Sequence, residues 1–461
     1  MRFIILFLCL AFISVINAQA QHMSKKESAA IDKILLNASK ANKPRTYIIK
    51  NVGIVTMKNP EVRNGQSVLI ENGRIQKIAG EIQNQGATVI DGSGKYLMPG
   101  LTDMHVHLFD RHQMKNTWML MLLINGVTTV RDMCGEPGKI QLREKIKTND
   151  ILGPNLYQAG PIIDGNKENM GLFAFADTPQ KGREIVLSQK KAGYDFIKVY
   201  DALTREVYAA IIDEAHKQGM QVTGHLPDHV TLDDAINLEQ NSIEHITGYI
   251  EWTDYQVHLN VGDDYPTKTA GSSTWNCPTL YNHFMNGSRA GAREMMLYAD
   301  GSGLLPKGLR DNWSKIVNSN SKAIIEIADK YGASNHEVIK KIVLNLYSSG
   351  AKLIAGTDAG SLPLIIPGYS LHQELKHLNE LGIATYDVLK MATANAAQAM
   401  NKTDFGTIEE GNRADLLLLN ANPLDGVANL QDKAGVMIRG VWLPKEELDR
   451  IATSMQAAFR Q

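Results

Sequence analysis

Eight short apolar runs, several of them separated by amphipathic helical stretches, constrain this chain more than anything else in it. They are LTDMHVH from Leu101, TTVRDM from Thr128, NLYQAGP from Asn155, DFIKVY from Asp195, MQVTGH from Met220, NSIEHI from Asn241, TWNCPTL from Thr274 and KLIAGTD from Lys352. Alternation of such runs with segments like REIVLSQKKAG and EVYAAIIDEAHKQG is the pattern of βα units around a parallel sheet. A count of eight favours closure into an α/β fold of the (β/α)8, TIM-type barrel class over an open doubly wound sheet. No Gly-rich phosphate loop follows the first run, which argues further against a dinucleotide fold. With 461 residues the chain has room for a barrel and a smaller module.

The flanks read differently. Met1-Arg2 is a basic start, Phe3 to Ile16 is almost wholly apolar, and Ala18-Gln19-Ala20 offers small residues for cleavage, so residues 1–20 are expected to be a signal peptide. The mature chain is then exported, to a periplasm or outside the cell. The apolar run is shorter than the roughly 20 residues a bilayer span needs, and no later segment reaches that length, so no span is expected after its removal. Cys9 lies inside the run behind Leu8, which does not suit lipoprotein processing.

Residues 21–45 are expected to form a leader helix, with Ile31, Ile34 and Leu35 at helical spacing. From 46 to 99 the runs YIIKNVGIVT, SVLIENGRIQKIAG and ATVIDGSGKYLMPG, bounded by Asn-Gly, Gly and Pro, read as hairpin strands of a small β module. The β texture returns at 405–461 in GTIEEGNRADLLLLNANPL and VMIRGVWL, and most economically completes that module on the far side of a barrel at 100–404. Between runs seven and eight, residues 281–349 carry their own helical patterning and are too long for a loop, so they are expected to be a helical insertion over or beside the barrel mouth.

Lys and Arg number 48 against 49 Asp and Glu, which leaves no basic footprint for nucleic acid and favours a small-molecule partner. The oligomeric state is left open, a homo-oligomer included. Cys134 and Cys277 fall near barrel strands two and seven, too far apart to bridge, and are expected to be free thiols.

The chemistry lies at the ends of the runs. Alternation along the first run puts His105 and His107 on one face, pointing into the barrel, where two imidazoles can chelate a divalent ion. Lys198 sits in the apolar run FIKVY; an ammonium buried there would lose its proton, and the neutral amine could add carbon dioxide to give a carbamate whose oxygens bridge two cations. His225, His245 and Asp358 end runs five, six and eight, at the face where barrel enzymes keep their active sites. Singly each is more often structural; six donors at strand-end positions point to a metal site. The same alternation turns Glu244 outward into the helix layer. Tyr200 shares the face of Lys198 and could donate to a developing oxyanion. Arg131 could pair with a substrate carboxylate, or with its neighbour Asp132, and His372 in GYSLHQEL could line the pocket.

With these residues the chain resembles the amidohydrolase superfamily, in particular the branch of imidazolonepropionase-like proteins and metal-dependent Xaa-Pro dipeptidases. The matching stretches are VIDGSGKYLMPGLTDMHVHL, GVTTVRDM, FIKVY, TGH, IEHI, GTDAG, PGYSLHQEL, ATANAAQAM and GTIEEGNRADLLLLNANPL, and they span nearly the whole mature chain. The resemblance implies a composite β-sandwich built from both ends of the chain, and a barrel holding two divalent ions, with zinc the default metal. It assigns His105, His107 and Asp358 to one ion, His225 and His245 to the other, and a carbamylated Lys198 between them. Lys198 resembles the two-metal members rather than the mononuclear imidazolonepropionases. The implied reaction is hydrolysis of a carbon–nitrogen bond in a small substrate, a dipeptide or N-acyl amino acid, with Asp358 moving the proton. His225-Leu226-Pro227 departs from the small residues such dipeptidases carry after this histidine, which keeps cyclic amides and lactones open. The rival from another class is a binding protein on a retired scaffold, which predicts missing donors; none of the six is missing.

Overall fold

The computed structural model describes residues 23–83, 86–108, 114–167, 172–287, 303–319, 322–361 and 364–460. The expected signal peptide, with Cys9, lies outside them. The first described element is the helix Lys25–Ala41, started by a capping box in which Ser24 Oγ accepts from Glu27 N and Glu27 returns a carboxylate to Ser24 N. It buries Ile31 and Leu35 against the helices Lys115–Ile124 and Lys445–Phe459, so the expected leader is packed into the body of the protein. Each such burial contributes about 1.5–3 kcal/mol.

Strands β1 (Tyr47–Val55), β2 (Val62–Glu71), β3 (Arg74–Ala79), β4 (Thr88–Asp91) and β5 (Tyr96–Pro99) form a sheet outside the barrel. Its path continues from β5 into strands contributed by the other end of the chain. β5 pairs antiparallel with Leu416–Leu419, which pairs with Lys433–Ile438, and that with Val441–Pro444. β1 pairs with β2, β4 and β5, so the strands make one branched sheet where a two-sheet sandwich is implied by resemblance. Its core holds Ile49, Ile54, Val68, Leu97, Leu416 and Met437.

The eight apolar runs become β6 (Leu101–Val106), β7 (Val127–Asp132), β8 (Asn155–Gln158), then, beyond the short strands β9 (Ile162–Asp164) and β10 (Phe173–Phe175), β11 (Phe196–Val199), β12 (Gln221–Gly224) and β13 (Ser242–Glu244). After a hairpin of β14 (Ile250–Thr253) and β15 (Gln256–Leu259), β16 (Trp275–Cys277) and β17 (Lys352–Leu353) complete the set. Neighbours pair in parallel within β6-β7-β8 and within β11-β12-β13-β16-β17. Bridges Ala159–Phe196 and Val106–Ala359 join these two arcs, which closes the ring. The fold is therefore an α/β barrel with an additional, largely antiparallel sheet.

The hairpin β14–β15 and the helix Tyr265–Ala270 behind it sit in the β13–β16 connection and are not foreseen by the apolar runs. In the expected insertion the described elements are the helices Leu280–Gly287, Lys307–Ser319 and Lys322–Ser348; the last buries Ile339, Ile342, Val343 and Leu346. Residues 288–302 and 320–321 of that stretch lie outside the described residues. Cys134 and Cys277 are buried free thiols, as expected. Among the described residues no helix is long and apolar enough to cross a membrane.

Candidate metal centre

The first pair of donors is fixed by β6 and by the loop after β17. Asp103 shares the inward face of His105; it accepts from the backbone of His105 and Thr357 and, at 2.7 Å, from the Thr357 hydroxyl. Burial pushes the Asp103 carboxyl up to about 7 against these hydrogen bonds. Asp358 N donates to His105 O at 2.7 Å, and His107 N to Ala359 O at 2.8 Å, so the loop lies along the strand. Gly356 allows that approach, since a Cβ there would meet Cys277 Sγ at 2.6 Å and His105 N at 2.9 Å.

Asp358 Oδ1 thereby comes within 3.0 Å of His107 Nε2 and 3.4 Å of His105 Nε2, while its Oδ2 accepts from Asn282 Nδ2. Burial alone would raise its pKa; the hydrogen bond from His107 and the charges of His245, His107 and Lys198 outweigh it and hold the carboxyl well below the usual range. His105 is pushed well down by burial and by the cationic groups around it, Lys198 first. The result is a neutral imidazole beside an ionised carboxylate.

His245 and His225 approach from the other side. The His245 ring centroid is 4.5 Å from that of His105 and 5.0 Å from that of His225. His245 Nδ1 pairs with Thr279 Oγ1 at 2.7 Å, and His225 Nδ1 with Asp201 Oδ1 at 2.6 Å. Donor atoms of His105, His245 and Asp358 all lie within 4.8 Å of one another. Lys198 is 1% exposed. Its pKa is lowered by burial first, with Glu244 and Asp358 opposing. Gly224, at φ 132°, makes room for it: a Cβ there would meet Val199 O at 2.2 Å and Lys198 Cδ at 3.1 Å. Tyr200 lies with its ring centroid 4.2 Å from that of His225 and 5.4 Å from that of Phe173.

Three side chains stand elsewhere than strand alternation or spacing suggests. Glu244 is fully buried and points into the barrel, not into the helix layer. β13 ends at Glu244, and His245 and Ile246 take φ of 58° and 49°, so alternation does not carry across the 244–245 junction and both side chains turn inward. Arg131 is directed at the barrel interior rather than at a substrate carboxylate: Nε donates to Met104 O, one terminal nitrogen to Ser242 Oγ and the other to Glu244 Oε1. Its neighbour Asp132 pairs with the buried Lys139. The buried His372 is bound through Nε2 to Asn125 O, at the turn before β7, the N-terminal end of that strand and not the barrel mouth. The sequence does not single out Asp201 and Thr279, on loops just past strand ends, Asn282, in the helix Leu280–Gly287, or Phe173 on β10; only Asp103, two residues before His105, carries a strand-face signal.

Leu226 is buried and packs on Gly248, where a Cβ would meet Leu226 Cδ2 at 2.0 Å. Beyond it, Asp228 to Leu232, Gly248 and Asn260 line a cavity of about 290 Å³ that none of the six donors borders.

Among the described residues the buried His105 Nε2 has no hydrogen-bond partner; its ring is held by the other nitrogen, and it faces the cluster of His107, His245 and Asp358. An orphaned nitrogen lone pair among imidazoles and an ionised carboxylate fits a divalent ion of zinc type.

The chain is similar to known proteins over much of its length. A family described as "Amidohydrolase family" matches residues 96–443. Ochratoxinase of Aspergillus niger is 22% identical over 401 residues, covering 74% of this chain and 73% of its own. Enamidase of Eubacterium barkeri is 30% identical over 226 residues, 44% of this chain and 57% of its own. Among solved structures, a bottromycin amidohydrolase superposes with a TM-score of 0.76 at 24% identity, covering 93% of both chains. A Xaa-Pro dipeptidase with bound methionine in its active site gives 0.66 at 20% identity, covering 87% of this chain and 100% of its own.

Proposed function

This chain belongs to the amidohydrolase family, and from that premise we propose that it is an exported, two-metal hydrolase cleaving the amide bond of a small substrate. The family and its hydrolase relatives support action on carbon–nitrogen bonds. The observation that carries the reading is the convergence of His105, His107, His245 and Asp358 around the unpartnered His105 Nε2. His105, His107 and Asp358 would hold one ion, and His225 and His245 the second. Buried Lys198 supports a bridging role: once the ammonium gives up a proton, its amine attacks the carbon of carbon dioxide, a nitrogen–carbon bond forms, and a further amine proton leaves to solvent, giving an anionic carbamate.

Bound zinc would supply Lewis-acid polarisation of the scissile carbonyl and a nucleophilic water at neutral pH. Asp358, ionised in this setting, takes a proton at Oδ1 and passes it to the leaving nitrogen, while Asn282 keeps Oδ2 fixed. Tyr200, against His225 and partly exposed, is placed to donate to the carbonyl oxygen as charge develops there. The leading substrates are dipeptides with a C-terminal proline and N-acyl amino acids. Export rests on residues 1–20, and sequencing the amino terminus of protein from the native cell tests it.

Metal analysis of protein supplied with zinc and bicarbonate is expected to give two ions per chain. Fewer than about one ion per chain would overturn the reading. A panel of dipeptides, N-acyl amino acids, cyclic amides and lactones then identifies the substrate class; turnover of lactones alone would replace the amide assignment.

A further inference from the structure

Deepening the metal-hydrolase reading, on which it rests, we infer that Glu244 is a positioning residue, locked by Arg131 and Ser242, which fixes the tautomer and aim of His105 toward the ion. Glu244 Oε2 is 2.8 Å from His105 Nδ1. Its Oε1 accepts from Arg131 at 2.6 Å and from Ser242 Oγ at 2.5 Å. Arg131 is itself held by Met104 O at 2.6 Å, on the same strand as His105, and donates to Ser242 Oγ at 2.9 Å. Every member is at least 98% buried.

A carboxylate can only accept, so the proton between Glu244 and His105 resides on Nδ1, and Nε2 carries the lone pair. Nε2 is the atom without a hydrogen-bond partner among the described residues, 3.4 Å from Asp358 Oδ1. The imidazole therefore cannot flip or change tautomer without stranding a buried carboxylate. Arg131 sets its guanidinium directly against the Glu244 carboxylate, and its bond to Met104 ties the pair to β6. An isolated buried acid here would be costly; the closed set Arg131–Glu244–His105, with Ser242 filling the remaining lone pair of Oε1, leaves no member unbalanced.

Glu244→Gln keeps the shape but can present an amide N–H to Nδ1, which favours the wrong tautomer, and it leaves Arg131 unpaired. The double variant Arg131→Met/Glu244→Gln removes that stray charge and isolates the effect on His105. Zinc affinity is read by competition with a chromophoric chelator, alongside the cobalt(II) absorption spectrum and thermal melting of the metal-free proteins. Expected is a roughly 10–100-fold weaker first zinc site in both variants, with an altered cobalt spectrum, while the metal-free double variant melts cooperatively. Wild-type affinity in either folded variant overturns the inference, and so does aggregation of both variants without metal, which would make the network purely structural. Failure of the wild type to bind zinc would instead sink the metal-hydrolase reading itself, so the two failures are distinct.

Discussion

On the β6 side of the donor ring, His105 is wholly buried and its outer nitrogen meets Glu244, itself unexposed and gripped by Arg131 and Ser242. On the β12 side, His225 is 13% exposed, its outer nitrogen meets Asp201 with 29% of that side chain exposed, and its ring rests on Tyr200. Both histidines have a carboxylate on Nδ1, yet one is set by core packing and the other at the rim where solvent enters. A buried ion pair is expensive to break because each partner would be left unpaired, whereas a rim pair loses much of its energy to water. The β6 side is thus the rigid half of the donor ring, and the β12 side, with the partly exposed Tyr200 and Phe173, is the half open to solvent.

The largest expected effect removes the group between the two halves. Lys198→Ala is expected to lower kcat roughly a thousandfold or more, because several kcal/mol of electrostatic stabilisation go with the second ion. Metal content should fall to one ion per chain or fewer. Unchanged turnover and two bound ions would show that the halves do not depend on a bridge.

Next comes the support of the segment that holds His245, between the two halves. Glu374 is a buried carboxylate that accepts from Leu280 N at 3.0 Å and Tyr281 N at 2.7 Å, just past the Thr279 that holds His245. Burial, against those two hydrogen bonds, pushes its pKa from 4.5 up to about 8. Because the folded value is raised, its contribution to stability is complete below about 4.5 and is lost as pH climbs through about 8. Glu374→Gln cannot ionise, so thermal melts from pH 5 to pH 9 should separate progressively, with wild type losing on the order of a few kcal/mol relative to the variant. Parallel curves would remove Glu374 as a buried, titrating support.

The contrast between the halves also explains what could be read from the chain before it was folded. All eight barrel strands and the positions of the six candidate donors were legible because a histidine, lysine or aspartate in or at the end of an apolar run is a local pattern. Glu244 was misread for a local reason too: the left-handed φ of His245 and Ile246 cannot be seen in residue types that usually avoid it. Arg131 was illegible because its partners, Ser242 and Glu244, are more than a hundred residues away. His372 has the right neighbours in sequence, but its helix turns the ring to Asn125 at the wrong end of the barrel. Asp201 and Thr279 lie in loops, where no periodicity announces direction.

Asp201→Asn tests whether the rim half is weaker by design of its surroundings. Asparagine can still accept from His225 Nδ1 but without charge, and water can reach the site, so about a tenfold loss of zinc affinity or less is expected, smaller than for Glu244→Gln. A loss equal to or above that of Glu244→Gln would erase the distinction between a core-set and a rim-set histidine.

The smallest effect belongs to His245, whose outer nitrogen meets a neutral hydroxyl. Thr279→Val keeps the β-branched shape at φ 47° and removes one hydrogen bond, worth about 0.5–1.5 kcal/mol. That converts to a few-fold weaker zinc binding, with Thr279→Ser restoring it. The backbone of His245 is independently held, its N–H donating to Cys277 O and its carbonyl 3.1 Å from His283 Nε2, so the ring should keep its place when the hydroxyl goes. A loss as large as that from Glu244→Gln would mean that side-chain contacts, not the backbone of the turn, aim this ligand, and His245 would then belong with the rigid half and not between the two.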